Sequence, residues 1–224
     1  MKDEVEIGDH FVVYCRKNDI VNGMKEKSLQ RQLEEKISQG KLRVFSTSDF
    51  RYYGEYKAIA KSLERLTKEG KITRLSTGLY GKKVYNARFG DFEEIMPEEI
   101  ADGLARKFGW KIVPAGEAAA NLLGLSTQVP TQSVYISTGP YKTYRIGSFK
   151  IVFRHSFHKE LALCSETTAL FSEALREIGP HELSYANLKA AIEALDEKDK
   201  ITLENESTQL SPWLAKAIQD ALGA

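Results

Sequence analysis

Apolar residues recur at intervals of three and four along some stretches of this chain and alternate along others, and the switches between these periods divide it into elements. Ser28 to Ser38, SLQRQLEEKIS, sets Leu29, Leu33 and Ile37 four apart, which predicts a helix with one apolar stripe, ended by Gly40. Ser46 or Thr47 is placed to N-cap a short helix, with Asp49 in its first turn and Phe50 as its core residue. The clearest helical pattern follows Gly54. Taking Lys57 as zero and about 100° per residue, Ile59, Leu63 and Leu66 fall at about 200°, 240° and 180°. Lys57, Lys61, Arg65 and Lys68 fall at about 0°, 40°, 80° and 20°, so four cations leave the helix opposite its buried stripe. Gly70 supplies the left-handed residue that stops the helix. Lys71 to Leu75 then reads as a strand, and Gly78 permits the turn into a returning Leu79-Tyr80 segment.

Beyond residue 86 the periodicity lapses, with Gly90 and a charge cluster in Asn86 to Glu94, which places a domain boundary near residue 92. Pro97 suits a first helical turn, with Glu98 and Glu99 at its positive end, and the helix runs over Ile100, Leu104 and Phe108 to Gly109. Ala115 to Leu123 predicts a second helix, stopped by Gly124. Val134–Ser137, Thr143–Ile146 and Phe149–Phe153 read as strands, the last two joined at hairpin length by Gly147-Ser148. Helices follow at Glu166 to Ile178, N-capped by Ser165 and ended by Gly179-Pro180, and near Tyr185 to Leu195 and Pro212 to Leu222. Helices, then strands, then helices predict an α+β fold: residues 1–92 as an extension plus a winged helix-turn-helix domain, and 93–224 as a small antiparallel sheet flanked by helices. Before the first predicted helix, Phe11 to Cys15 fits a strand or a helix turn, and five residues do not decide between them.

Charge changes the picture more than composition does. The 224 residues carry a formal net charge of +1 and ordinary globular proportions of hydrophobic (42%) and charged (28%) residues. That near-neutral total conceals a polarised chain. Residues 1–90 hold 19 Lys+Arg against 12 Asp+Glu, a net of +7, and residues 91–224 hold 13 against 19, a net of −6. Residues 41–90 alone hold 12 against 4. An exposed lysine face is ordinarily a solvated face, but an excess concentrated on a helix-turn-helix pattern is the electrostatic footprint of a phosphate-backbone binder.

Other chemistry is sparse. No apolar run approaches the ~18 residues of a membrane span, and the acidic start MKDEVEIGDH lacks the form of a signal peptide, so a cytoplasmic protein with no membrane partner is expected. Cys15 and Cys164 lack metal-ligand spacing and read as small buried hydrophobes. His155 and His158 form an HxxH pair that no nearby Cys or carboxylate completes, so neither metal nor cofactor is expected. A nucleotidyltransferase site needs metal-binding carboxylates near a Gly-Ser turn. Gly147-Ser148 is instead followed by FKIVFRH, and no phosphate-binding loop or GxSxG elbow is present, so no enzymatic role is expected. Arg145, Lys150 and Arg154 form a small basic patch that reads as a solvated sheet face.

Two segments carry a family resemblance. VFSTSDF at 44–50 with SLERLTKEGKITRLSTGLYGKK at 62–83, and the more particular IVPAGEAAANLLGLSTQVPTQSVYIS at 112–137, resemble the AbiEi family of antitoxins from type IV toxin–antitoxin (abortive-infection) systems. The resemblance spans roughly residues 28–213. It implies an N-terminal winged helix that binds operator repeats in its own promoter, and a C-terminal domain that counteracts a nucleotidyltransferase toxin without a stable toxin complex. Where this family often carries another aromatic and a proline after the Gly-Leu-Tyr of the wing, this chain has Gly81-Lys82-Lys83, which suggests a flexible, cationic wing tip. In a winged helix the second helix of the motif enters the major groove. Tyr56, Lys57 and Lys61 are then candidates for deep-groove contact, Arg65 and Lys68 for phosphates near them, and Ser46, Thr47, Tyr52 and Tyr53 for backbone phosphates from the preceding turn. One of the two tyrosines packs under that turn in the alternative reading. Arg74, Lys82 and Lys83 would ride the adjacent groove. The competing functional class is a winged-helix regulator whose C-terminal domain binds a small-molecule ligand.

Overall fold

The computed structural model describes residues 28–128, 130–157 and 160–223. The expectations placed on Phe11 to Cys15, Cys15 itself, the first 27 residues and His158 lie outside them. The fold is α+β, built of small sheets and helices.

Helix α1 (Leu29–Gln39) starts where Ser28 Oγ accepts from the Arg31 amide at 3.4 Å, and buries Leu33 and Ile37. Gly40 ends it in an extended conformation, φ −69°, rather than a left-handed one. Strand β1 (Val44–Ser46) leads into a 3-10 helix (Thr47–Tyr53), tighter than the α-helix the pattern implies. Helix α2 (Tyr56–Lys68) buries Ile59, Leu63 and Leu66 as projected, and Gly70 follows it at φ 74°. Strands β2 (Ile72–Ser76) and β3 (Leu79–Lys82) form the expected hairpin, turned by Gly78 at φ 66°. The sheet order is β1-β3-β2, all antiparallel.

This small sheet is covered on both faces. Phe45, Ile72 and Tyr80 pack with Leu33, Leu63 and Leu66 of α1 and α2. The alternate residues Val44 and Leu79 pack the other way, onto Ile100, Ala101 and Leu104 of helix α3 (Pro97–Phe108). Gly103 permits that approach, since a β-carbon there would collide with Val44. The stretch around residue 92 is a two-stranded hairpin, β4 (Tyr85–Asn86) and β5 (Asp91–Phe92), and the apolar core continues past it from Val44 and Leu79 to Phe153.

The larger sheet joins β6 (Ile112–Pro114), β7 (Ser133–Ser137), β8 (Lys142–Ile146) and β9 (Phe149–His155) in the order β6-β7-β9-β8. It is not wholly antiparallel, because β9 lies between β8 and β7 and runs parallel to β7. Composition explains the order: Ile151, Val152 and Phe153 are consecutive and buried, as suits a central strand, whereas KTYRI of β8 is largely exposed and charged, as suits an edge. Phe153 is fully enclosed, with ring centroids of Trp110, Tyr135 and Tyr144 at 5.5, 5.9 and 5.9 Å. Phe108, projected into the core, is instead 41% exposed and stacks on Trp110 at 4.8 Å.

Helices α4 (Gly116–Leu122), α5 (Glu160–Leu163), α6 (Glu166–Ile178), α7 (Tyr185–Glu193), α8 (Glu197–Ser207) and α9 (Pro212–Gly223) complete the described chain, and α6 to α9 enclose a second core around Phe171, Leu188, Leu203 and Leu214. Glu206 of α8 accepts from both the amide and hydroxyl of Ser165, at 2.8 and 2.7 Å, at the start of α6. Burial opposes its charge, but hydrogen bonds from Ser165 and Thr168 outweigh this and hold the carboxyl below its usual range. A lowered folded value stabilises above the unfolded value of about 4.3 and is lost as pH falls through the folded one. Glu206→Gln should therefore cost about 1 kcal/mol at pH 7, a difference that shrinks below about pH 4 in denaturant titrations.

Candidate nucleic-acid interface

Local sequence fixes the cationic helix at its start. Asp49 of the 3-10 helix accepts from the Ser46 amide at 2.6 Å and the Ser46 hydroxyl at 3.1 Å, and Phe50 anchors the helix against Phe45, ring centroids 5.5 Å apart. Arg106 of α3 approaches the same carboxylate at 3.9 Å and donates to the Val44 carbonyl at 2.6 Å. Lys107, next along α3, donates to the Thr77 carbonyl at the tip of the β2–β3 hairpin. The last turn of α3 thus holds both the entry to α2 and the hairpin that follows it. At its far end α2 is tied to α1: Lys71 bridges Glu34 and Glu69 at 2.7 and 3.2 Å, and Gln30 donates to Glu69 at 2.7 Å. Hydrogen bonds to both carboxylates raise the Lys71 ammonium above its ordinary value.

On this platform α2 turns Tyr56, Lys57, Lys61, Arg65 and Lys68 outward, all exposed. Glu64 stands among them, its carboxylate 2.9 Å from the Lys68 ammonium. The hydrogen bond from Lys68, then the charges of Arg74 and Lys61, hold this carboxyl below its usual range. Arg74 itself is exposed on β2, the first strand after α2. Tyr52 is 85% exposed, and the Arg51 guanidinium lies over its ring at 5.0 Å and donates to its hydroxyl at 3.1 Å.

Five sequence-based candidates are placed otherwise than expected. Ser46 is fully buried, its hydroxyl committed to Asp49, because its residue type serves capping there. Thr47 is 3% exposed, turned into the protein under the hairpin turn. Tyr53 is half-buried against Phe50, ring centroids 6.2 Å apart, so it is the tyrosine that packs under the turn. Lys82 is no wing tip: it lies inside β3 opposite Ile72, and its ammonium donates to the Ser38 and Gly40 carbonyls at the end of α1. Lys83 is exposed, but at the hairpin's base, its ammonium 5.9 Å from the Phe92 ring. Arg51 and Glu64 went unremarked in the sequence, although the projection that selects the lysines sets Glu64 at about 340°, among them.

The second half offers less. His155 Nδ1 donates to the Gly139 carbonyl at 2.8 Å. Arg145, Lys150 and Arg154 are exposed, and Cys164 is buried. Among the described residues no group of three or more His, Cys, Asp and Glu is placed to hold a metal, and no helix is long and apolar enough to cross a membrane. A cavity of about 460 Å³ opens between α3, β6, α5 and α6, bordered by Asp102, Arg106, Lys111 and Trp110.

The molecule is thus an α+β protein with a cationic helix displayed beside a β-hairpin. By sequence it belongs to the DUF6088 family, a family of unknown function, whose profile matches residues 32–203. No curated protein matches it. The solved structure of the RV2827C protein from Mycobacterium tuberculosis is distantly similar, 13% identical over 87% of this chain and 77% of that one with a TM-score of 0.42, a likeness from which no shared function follows.

Proposed function

We propose that this protein is a DNA-binding antitoxin that represses its own promoter, with a winged helix at residues 28–92 and a C-terminal half that counters a nucleotidyltransferase toxin. One observation carries the DNA-binding half: five exposed cations, Lys57, Lys61, Arg65, Lys68 and Arg74, border one side of a helix whose opposite side is buried. Cations concentrated there suit the DNA backbone, with α2 in the major groove and Tyr56 and Tyr52 at its entry. The preceding short helix, the order β1-β3-β2 and the hairpin after α2 support the winged-helix reading. The antitoxin half rests on the resemblance of residues 44–50, 62–83 and 112–137 to AbiEi antitoxins.

The test is cellular. A reporter driven by the protein's own promoter should be repressed by the chain, and growth should be restored in cells expressing the nucleotidyltransferase encoded beside it. Repression without rescue would remove the antitoxin half alone. The geometry also separates two lysine and arginine roles. Arg74→Ala should lower the slope of log affinity against log salt by about 0.9 in a binding titration, whereas Lys82→Ala should leave the slope unchanged and cost about 0.5–1 kcal/mol of stability by freeing the Ser38 and Gly40 carbonyls at the end of α1.

A ligand-responsive regulator is the second reading, favoured by the cavity beside Arg106. The same side chain reaches the Val44 carbonyl and Asp49, so a molecule bound there would touch the residue that steadies the entry to α2.

A further inference from the structure

We propose that the ion pair Glu64–Lys68 reads one C·G base pair in the major groove. This rests on the proposed function, which puts α2 there, and goes beyond it by assigning sequence selectivity to an acidic side chain. Lys57, Lys61, Glu64 and Lys68 follow one another at i, i+4, i+7 and i+11, so they form a single outward ridge along α2. Glu64 is the one acid in that helix. On a surface made only for phosphates, a carboxylate in the middle of the ridge weakens binding by repulsion. Lys68, Arg74 and Lys61 also keep it ionised, and therefore a pure acceptor.

An acceptor in the major groove is matched by an exocyclic amino group. Both amino groups stand beside the carbonyl acceptor of the paired base, thymine O4 or guanine O6, but adenine adds its own N7 acceptor on the other side, which repels a second carboxylate oxygen, whereas cytosine has only C5–H there. Glu64 and Lys68 present an acceptor and a donor 2.9 Å apart. Cytosine N4 and guanine O6 are a donor and an acceptor joined by a hydrogen bond of about that length. The carboxylate accepts from cytosine N4 while the ammonium donates to guanine O6. The i,i+4 spacing supports the helix as well, but a purely helix-stabilising pair would have no effect on which sequences are bound.

The experiment is selection from a pool of randomised duplexes by the full chain and by Glu64→Ala, with circular dichroism to confirm that the helix content is kept. The expected result is one C·G position whose preference, about five- to hundredfold in the parent protein, disappears in the variant while the other positions and the salt slope are kept. A variant that retains every preference and binds all duplexes more tightly by the same factor would overturn the inference and leave Glu64 as a local counter-charge. A parent protein with no preference at all would overturn the proposed function, and this inference with it.

Discussion

Reversing two charges, Lys57→Glu with Lys61→Glu, is expected to weaken DNA binding at least a hundredfold near 100 mM salt while leaving the protein folded. Both side chains are exposed and neither takes part in a described salt bridge; the attraction between Lys61 and Glu64 is lost, but at an exposed site such an interaction is worth little. Lysine and glutamate have similar helix propensities, and a glutamate at position 57 lies in the first turn of α2, where the helix dipole favours it. The loss therefore belongs to the interface. Each removed phosphate contact takes about 0.9 from the slope of log affinity against log salt, and each new carboxylate adds repulsion to the phosphates it faces. Fluorescence anisotropy and circular dichroism on the same preparation would check both halves of this statement. Binding within threefold of the parent protein would show that α2 is not the surface that meets DNA.

The second large effect concerns stability. Phe153→Ala should cost about 3–5 kcal/mol, because a fully enclosed ring is removed from among Trp110, Tyr135 and Tyr144, whose own packing prevents collapse into the space. The same apolar cluster reaches Val44 and Leu79 in the small sheet and Ile100 and Leu104 in α3. The deletion should accordingly lower the denaturant midpoint of one shared unfolding transition, followed by tryptophan fluorescence and circular dichroism together. Two separate transitions, with only the later one shifted, would mean that the core around Val44 is not coupled to the larger sheet.

The elements with a strong period were legible in the sequence. Helix α2 and its two faces follow from the spacing of Ile59, Leu63 and Leu66, and α6 from Ser165 to Gly179. What the sequence concealed has specific causes. Helix α8 carries Leu203 as its only fully buried large residue, so it shows no apolar stripe to detect. The order β7-β9-β8 departs from adjacency along the chain: the apolar run Ile151 to Phe153 marks β9 as a central strand, but a hairpin of β8 and β9 does not by itself say which of the two β7 joins. Glycine was ambiguous in a physical sense. Gly78 is required for a positive φ at the hairpin turn, whereas Gly81 sits within a strand because a β-carbon there would collide with Ile95, and the two reasons look alike in a sequence. Taking Gly81-Lys82-Lys83 as a flexible wing tip put Lys82 and Lys83 at the wrong end of the hairpin. Ser46 was ambiguous too, since a hydroxyl suited to a phosphate is equally suited to a helix start, and burial beside Asp49 decides for the cap.

For the candidate interface, the sequence therefore supplied the helix and its lysines, and the structure supplied the selection among the flanking residues. Arg74 and Tyr52 stay exposed, whereas Ser46, Thr47, Tyr53 and Lys82 serve the framework that holds α2 in place.

The measurement that bears most directly on the central claim is the affinity of the full chain for its own upstream DNA and for a scrambled duplex of equal length, titrated across a salt series. With Lys68 on the base pair, the proposal sets four cations of each chain against phosphates, Lys57, Lys61, Arg65 and Arg74; at about 0.9 per contact they lead to a log–log slope of about −3.6 per chain, with the upstream duplex preferred at physiological salt. Equal, weak binding to both duplexes with a slope near zero would contradict the claim that α2 and its hairpin form a DNA-reading surface.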